Sequence, residues 1–235
     1  MPRRSPIEDP NRRIFLHTSA RLLMGAPLIF LDFRAAFGAE PFSESALILQ
    51  SAARAEMKAY NRYVTFARKA QTEGYKGVSY LFLALATSEL IHAQNYNRLL
   101  SKMGVNIVPS GNSSTEVTDT RNNLIVAANA ELNSIKNFYP KILDTIADKA
   151  NSGATKFVRY AWESHKQHKE IIDKIIKYAP DFFETVARKI DENSDVFYVC
   201  EICGSTRNEI PSEQCPICGY PVRHYEKIDP SAFLG

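Results

Sequence analysis

Residues 78–103 read VSYLFLALATSELIHAQNYNRLLSKM, and this stretch decides the fold. Its apolar residues recur every three or four positions, which is the spacing of one face of an α-helix. The stripe consists of Val78, Phe82, Leu85, Glu89, His92, Tyr96, Leu99 and Met103. Glu89 and His92 interrupt the apolar line. The stretch therefore predicts a long helix that points a carboxylate and an imidazole towards the protein core.

Three further segments between Ser43 and Asp181 show the same pattern, with breaks at Gly74, residues 104–118 and residues 152–153. Each also places ionisable residues on its apolar face. These residues are Glu56 in the first segment, Glu131 in the third, and His165 and His168 in the fourth. Four helices of about 25–30 residues leave no room for strands. We therefore predict a mainly α, antiparallel four-helix bundle over residues 42–181.

The ionisable residues repeat along the chain. Glu56 and Glu89 are 33 residues apart, Glu131 and His165 are 34 apart, and a histidine follows three residues after each pair. A duplicated helical hairpin would bring all six side chains to one level. A buried, unpaired carboxylate is costly enough to take up a proton or bind a cation. A dinuclear metal site in such a bundle uses this mixture of Glu and Glu-x-x-His, so we predict one here. The alternative is six separately hydrogen-bonded core residues.

All four cysteines lie in two similar turns, CEICG at 200–204 and CPICG at 215–219. Two such turns present four thiolates to one ion, which suits zinc or a single iron. The predicted ligands are Cys200, Cys203, Cys215 and Cys218. We predict a small metal-dependent knuckle domain over residues 196–229, after a linker at 182–195. A structural zinc ribbon and two disulfides formed after export are the alternatives.

The formal net charge of +3 belongs to the first 38 residues, because the rest of the chain sums to zero. A neutral body offers no electrostatic footprint for nucleic acid. The leader contains Arg12 and Arg13, followed by Ile-Phe-Leu and by an apolar run at 22–31 that is too short to span a bilayer. We interpret residues 1–38 as a twin-arginine (Tat) signal for the Tat translocase. This predicts a periplasmic or envelope protein, membrane-tethered if the leader is not cleaved. A disordered or tethering tail is the alternative.

A helical bundle followed by such a knuckle resembles the rubrerythrin family, over roughly residues 46–228. The specific stretches are EMKAYNRY at 56–63, ELIHA at 89–93, NLI at 123–125 leading to Glu131, FYP at 138–140, CPICGYP at 215–221 and HYE at 224–226. The resemblance implies a ferritin-like bundle and a rubredoxin-like knuckle. By position, it makes Glu56, Glu89, His92, Glu131 and His168 metal ligands, and Tyr63 and Tyr139 their hydrogen-bond partners.

The resemblance also implies the chemistry. The family couples two non-haem iron ions in the bundle to an FeS4 centre in the knuckle, and is associated with reduction of hydrogen peroxide to water in oxidative stress. It further implies a homodimer in which one subunit's knuckle approaches its partner's bundle. The sequence shows no dinucleotide-binding motif, so electrons would come from an external donor or reductase.

Two positions depart from the family pattern. Ser134 stands where the family has a further carboxylate, which takes part in a redox-linked shift of one iron, and His165 stands where it has a second bridging carboxylate. Glu163 is no replacement, since a two-residue offset points about 200° away on an ideal helix. With only three carboxylates, two divalent ions would leave a positive residual charge. Manganese, zinc or a single metal ion are therefore alternative occupants.

Three hypotheses follow for the function. The first is a peroxidase that reduces hydrogen peroxide at the dinuclear centre with electrons relayed through the knuckle. The second is an exported ferritin-like metal-binding protein or ferroxidase, with oxygen as the oxidant and a structural knuckle. The third is a membrane-tethered scaffold without a redox role.

Overall fold

The computed structural model describes residues 44–105, 115–147, 152–177, 185 and 196–234. The predicted leader at 1–38 and nearly all of the predicted linker at 182–195 lie outside the described residues, so both stay predictions. Within the described ranges, no helix combines the length and the apolar composition that a membrane crossing requires.

The bundle consists of two helical hairpins. Helices α1 (Glu44–Thr72) and α2 (Lys76–Lys102) form the first, and Gly74, with a φ of +87°, makes the turn between them. The second pairs one long helix with α5 (Ser152–Lys177). That long helix runs as α3 (Thr120–Asn133), a π-helical turn (Ser134–Phe138) and α4 (Tyr139–Ala147). The predicted mainly α bundle is confirmed.

The apolar faces of these helices form two hydrophobic clusters, one towards each end of the bundle. One cluster contains Phe66, Phe82 and Leu85, and the other contains Leu49, Tyr96 and Ile146. The ionisable residues of the apolar faces are as buried as these neighbours. Burial removes these side chains from water, so each of them requires a hydrogen-bond partner or a bound ion inside the protein.

The π-helical turn changes which residues of the third helix face the core. In an uninterrupted α-helix, Ile135 and Phe138 would share the inner face with Glu131, but both are only partly buried, whereas Tyr139 is completely buried. A π-turn contains an extra residue and therefore rotates the following residues around the helix axis. The indole N–H of Trp162, on α5, donates to the carbonyl of Ile135 within this turn (3.0 Å).

The start of α3 is anchored to the end of the first hairpin. The carboxylate of Glu73 accepts hydrogen bonds from the backbone N–H of Thr120 (2.8 Å) and from its hydroxyl (2.6 Å). The first N–H groups of a helix have no partner inside it, so this carboxylate satisfies one of them and lies near the positive end of the helix dipole. Asp119 caps the same helix through the N–H of Asn122 (2.9 Å).

We expect Glu73→Gln to lower the free energy of unfolding by about 1 kcal/mol at neutral pH. Burial alone would raise the pKa of Glu73, but hydrogen bonds from Thr120 and Lys69 outweigh it and lower the pKa. A lowered carboxyl pKa stabilises the fold above the unfolded value, and this contribution is lost as pH falls through the folded value. Urea unfolding at several pH values should show the difference between the two proteins shrink in acid. The control Glu170→Gln should change nothing, because Glu170 and its partner Lys174 are both two-thirds exposed.

The knuckle is a three-stranded antiparallel sheet with the order β2-β1-β3. Its strands are β1 (Tyr198–Cys200), β2 (Thr206–Arg207) and β3 (Tyr225–Lys227), followed by a short helix α6 (Ser231–Leu234). The sheet supports two turns that each end in a glycine with positive φ, Gly204 (+78°) and Gly219 (+71°). The predicted rubredoxin-like knuckle is confirmed as part of the fold, whereas its predicted bounds, 196–229, and its dependence on metal stay predictions.

The knuckle packs directly on helix α2 of the same chain. Phe197 and Val199 belong to the hydrophobic cluster that contains Phe66, Phe82 and Leu85, and the ring of Tyr80 meets that of Phe197 edge-on at 5.5 Å. The hydroxyl of Tyr80 donates to the carbonyl of Ile228 (2.6 Å), and the side chain of Asn95 donates to that of Ile202 (2.9 Å). These contacts place the first CxxC turn above the middle of α2.

Candidate metal centres

The structure brings all six predicted bundle residues together. Each is at most 3% exposed. Their donor atoms form two overlapping groups, and within each group the donor atoms lie within 4.8 Å of one another. The first group is Glu56, Glu89, His92 and His165, and the second is Glu89, Glu131, His165 and His168. Four helical segments, α1, α2, α3 and α5, each contribute at least one member.

Glu89 is shared by the two groups through its two oxygen atoms. Oε2 lies 2.9 Å from Nδ1 of His92, and Oε1 lies 3.4 Å from Nδ1 of His168. His165 is also shared, since its Nε2 is 3.5 Å from Glu56 and from Glu89, and its Nδ1 contacts Glu131. One carboxylate and one imidazole therefore lie between the two groups.

Each of the two predicted tyrosines is hydrogen-bonded to a carboxylate of the other helical hairpin. Tyr63, on α1, donates its hydroxyl hydrogen to Glu131 on α3, and Tyr139, on α4, donates to Glu56 on α1. Tyr139 also lies 3.1 Å from Nε2 of His165. Hydrogen bonds of this kind orient carboxylates towards a metal ion. The positions are related by the hairpin repeat, with the π-turn supplying the extra residue that separates Glu131 from Tyr139.

Two opposing effects set the pKa values in the cluster: burial disfavours the charged form of each group, and attraction between carboxylates and histidines favours it. Burial raises the pKa of Glu56, helped by the nearby charge of Glu89. Burial acts the same way on Glu131, but His165 and His168 outweigh it and lower its pKa to about 2. The neighbouring carboxylates in turn raise the pKa of His168 to about 9, against burial. Without metal ions, protonated histidines thus supply the positive charge that the carboxylates require.

The donor set fits divalent metal ions. Oε1 of Glu89 and Nδ1 of His168 are completely buried, face each other and have no hydrogen-bond partner among the described residues. Buried polar atoms without partners are rare and indicate a missing ligand. Carboxylate oxygens and imidazole nitrogens suit iron, manganese and zinc. The two groups could therefore hold one ion each, with Glu89 between them.

The four predicted cysteines form a second candidate centre. Their sulfur atoms lie within 4.8 Å of one another, and none is joined as a disulfide. The Cys200 and Cys218 sulfurs are 3.8 Å apart, and those of Cys203 and Cys215 are 3.5 Å apart. The Tyr225 hydroxyl donates to the Cys215 sulfur (3.3 Å). Four thiolates at this spacing match tetrahedral coordination of one iron or zinc ion.

The two centres touch within one chain. Nε2 of His92 lies 3.1 Å from the backbone carbonyl of Cys203, so a bundle ligand candidate is hydrogen-bonded to a knuckle ligand candidate. The next residue, Gly204, packs so closely on α2 that an added Cβ would lie 2.4 Å from Nε2 of His92. The family resemblance implies the knuckle of a partner subunit at the bundle, whereas in this structure the chain's own knuckle lies there. The predicted homodimer is a separate matter and stays a prediction.

Polar residues that the sequence did not single out lie between the two centres. Ser88 and Ser164 are buried and both donate to the carbonyl of Gly204 (2.7 and 2.9 Å). Each serine directly precedes a predicted metal ligand followed three residues later by histidine, so the hairpin repeat itself contained the signal. Gly204 was predicted as a turn residue, without its contact to the bundle.

The two departures from the family pattern have clear positions. Ser134 opens the π-turn one helical turn after Glu131 and is only partly buried. The side chain of Glu163 is 48% exposed and pairs with Lys166 (2.7 Å), so it does not face the cluster, as predicted. His165 lies beside Glu89 (3.5 Å), at the position where the resemblance implies a carboxylate.

The fold and the two clusters define a class, namely ferritin-like helical metalloproteins with an added rubredoxin-like knuckle. The Rubrerythrin family model matches residues 48–176. The chain is 34% identical to rubrerythrin-2 of Clostridium acetobutylicum over 174 residues, which cover 73% of this chain and 89% of that protein. It is 28% identical to nigerythrin of Nitratidesulfovibrio vulgaris over 173 residues, covering 74% and 81%.

A solved structure gives the same result. The fully reduced, all-ferrous state of nigerythrin superimposes with a TM-score of 0.68 at 25% identity, over 90% of this chain and 100% of that one. The chain belongs to the rubrerythrin family, a family of di-iron oxidoreductases. The family binds two irons in the bundle and one iron in the cysteine site.

Proposed function

We propose that the protein is a peroxidase that reduces hydrogen peroxide to water in the buried Glu/His cluster, with electrons delivered through the cysteine knuckle. The balanced reaction consumes one peroxide, two electrons and two protons and yields two water molecules. The observation that supports it most is the hydrogen bond between His92 and the Cys203 carbonyl (3.1 Å). It joins a hard nitrogen and oxygen site to a soft thiolate site within one chain.

The proposed cofactors are two iron ions held by Glu56, Glu89, His92, Glu131, His165 and His168, and one iron held by the four cysteines. Bound iron would supply Lewis acidity towards the peroxide oxygens and the electrons for their reduction. Zinc in the bundle would supply Lewis acidity alone. Manganese would supply both properties, with a different reduction potential. Family membership favours iron at both places.

The chain's own residues prepare the site for this chemistry. Tyr63 and Tyr139 orient Glu131 and Glu56, and these hydrogen bonds hold both carboxylates in place. The burial of all six side chains excludes bulk water, which strengthens every charge interaction inside the cluster. A path of covalent bonds and one hydrogen bond runs from the sulfur of Cys203 through its carbonyl to the imidazole of His92.

A knuckle with a purely structural role explains the hydrogen bond between His92 and Cys203 less well. Cys203 is buried against the bundle, whereas Cys218, on the opposite turn, is only partly buried. The buried turn approaches the cluster and the other turn approaches solvent, an arrangement suited to a relay from an external electron donor. The ferroxidase and scaffold hypotheses do not require it. Export through the Tat translocase to the periplasm or envelope, by contrast, is a proposal that rests on residues 1–38 alone.

Rapid mixing with peroxide tests the proposed function. The full chain is loaded with iron, reduced without oxygen and mixed with hydrogen peroxide, while the visible absorption of the ferric cysteine site is followed. We expect this absorption to return, at two electrons per peroxide consumed. A parallel mixing with the same concentration of oxygen is the control. No reoxidation by peroxide, or faster reoxidation by oxygen, would contradict the peroxidase and favour the ferroxidase.

A further inference from the structure

The first CxxC turn reaches the cluster at a second point, separate from its contact with His92. The carbonyl oxygen of Gly204 accepts hydrogen bonds from three hydroxyls, those of Ser88 (2.7 Å), Ser164 (2.9 Å) and Thr206 (3.1 Å). Two of them, Ser164 and Thr206, also lie 3.3 Å from Nε2 of His168. All three hydroxyl-bearing residues are at most 2% exposed. The knuckle therefore contacts predicted metal ligands on both α2 and α5.

Hydrogen-bonding capacity assigns the proton of His168 when a metal ion is bound. A backbone carbonyl only accepts, and a hydroxyl has one hydrogen to donate and lone pairs with which to accept. If Ser164 and Thr206 give their hydrogens to Gly204, their oxygens accept from Nε2 of His168. The imidazole N–H then lies on Nε2. This leaves a lone pair on Nδ1, the atom that faces the carboxylates and has no hydrogen-bond partner among the described residues.

The same logic applies to His92. Its Nε2 faces the carbonyl of Cys203 (3.1 Å), which can only accept, so with a metal ion bound the one N–H of the ring lies on Nε2. Nδ1, which lies 2.9 Å from Glu89 in this structure, is then free to bind the ion. Two neighbouring carbonyls of one loop thus select the same imidazole tautomer on two helices. A histidine's other nitrogen usually has such a partner when the first binds a metal.

We propose that the loop Cys203–Thr206 contributes to metal binding in the bundle by orienting its histidine ligands. Ser164 and Thr206 are positioning residues that hold His168 in the tautomer that binds metal, and metal binding in the bundle is therefore coupled to the folding of the knuckle. This inference rests on the metal-binding part of the proposed function. Coupling between two binding sites is reciprocal, so metal in either centre raises the affinity of the other.

Cobalt binding to the bundle tests the proposal without any turnover. The full chain is prepared with zinc in the cysteine site and titrated with Co²⁺, which reports bundle binding through its visible d–d absorption. Thr206→Val removes the hydroxyl and keeps the shape, whereas Thr206→Ser keeps the hydroxyl. We expect Thr206→Val to bind Co²⁺ about 10-fold to 100-fold more weakly, the range typical for partners of metal-ligating histidines. Thr206→Ser should restore wild-type binding.

Two further variants complete the test. Ser164→Ala removes the second hydroxyl from outside the knuckle, and it should weaken Co²⁺ binding even if Thr206→Val fails to fold. Ser79→Ala is the matched control, because Ser79 is a buried serine of α2 whose hydroxyl has no partner among the described residues. It should bind Co²⁺ as the wild type does. In the fully zinc-loaded protein, the ¹⁵N shifts of the histidine rings should show the Nε2–H tautomer, with the Nε2 shift displaced in Ser164→Ala and unchanged in Ser79→Ala.

The outcomes separate this inference from the proposed function. Wild-type Co²⁺ affinity in both Ser164→Ala and Thr206→Val, with unchanged helical content and zinc content, would overturn the inference and leave the peroxidase intact. A wild-type chain that binds no Co²⁺ in the bundle would overturn the proposed function as well. Weaker Co²⁺ binding to a chain with the cysteine site disabled by Cys215→Ser and Cys218→Ser would support the reciprocal coupling.

Discussion

Gly204→Ala will lower peroxide-dependent turnover about 100-fold, the cost expected when reacting groups are displaced by about 1 Å. An added Cβ would lie 2.4 Å from Nε2 of His92 and 2.5 Å from the hydroxyl of Ser88. Both side chains are completely enclosed and have no room to retreat. The first CxxC turn must therefore move away from α2, which breaks the hydrogen bond between His92 and Cys203.

The chain offers a matched control for this substitution in Gly219→Ala. Gly219 occupies the equivalent place in the second CxxC turn, with a φ of +71° against +78° at Gly204, and an added Cβ there meets nothing within 4 Å. Both alanines bear the same left-handed backbone strain, about 1–2 kcal/mol. The contact with the bundle adds about 1–3 kcal/mol at Gly204 alone.

Steady-state turnover and chemical unfolding of the two variants measure these effects side by side. Gly219→Ala should turn over close to the wild-type rate, with its iron content intact. Equal turnover in the two variants would show that docking of the knuckle on its own bundle has no part in the reaction.

Glu89→Gln will remove bound metal from the bundle, with an affinity loss of more than about 100-fold, beyond the range for supporting residues. Glu89 is the carboxylate that both groups share, and its two oxygens face His92 and His168 separately. A glutamine has nearly the same shape but no charge, so only two carboxylates would remain against two divalent ions. The amide would also place an N–H group where one ion requires a lone pair.

Metal analysis after anaerobic loading with iron and desalting measures the result. The wild type should hold two bundle ions per chain in addition to the iron of the cysteine site, and Glu89→Gln should keep only the latter. Glu163→Gln is the control, because this exposed carboxylate of α5 pairs only with Lys166 among the described contacts. Retention of two bundle ions by Glu89→Gln would refute the assignment of Glu89 as the shared ligand.

The site candidates that could be chosen from the sequence are those whose spacing reflects helix periodicity. Glu56, Glu89 and Glu131 lie on faces set by the 3.6-residue repeat, and the duplicated hairpin brings those faces to one level. The four cysteines were equally clear, because two CxxC turns leave little choice of partner. Local spacing is sufficient where one element determines which way a side chain points.

The features that the sequence did not predict depend on contacts between elements. The π-turn at Ser134–Phe138 shifts the inner face of the third helix by one residue. This shift becomes visible only in the packing of the turn against α5, where Trp162 donates to the carbonyl of Ile135. The role of Gly204 was also hidden, since a CxxC turn requires a glycine there for its φ alone. Its second constraint comes from α2, more than a hundred residues earlier in the chain.

The docking of the knuckle has a consequence for the order in which the molecule is made. The ligand candidates come from α1, α2, α3 and α5, all of which leave the ribosome before residues 200–206. The loop that covers His92 and contacts the hydroxyls beside His168 is therefore the last part of the centre to be synthesised. During that interval the cluster is open on the side that the knuckle later covers. On the proposal above, the metal centre of the bundle is therefore complete only after the last-made part of the chain has folded against it.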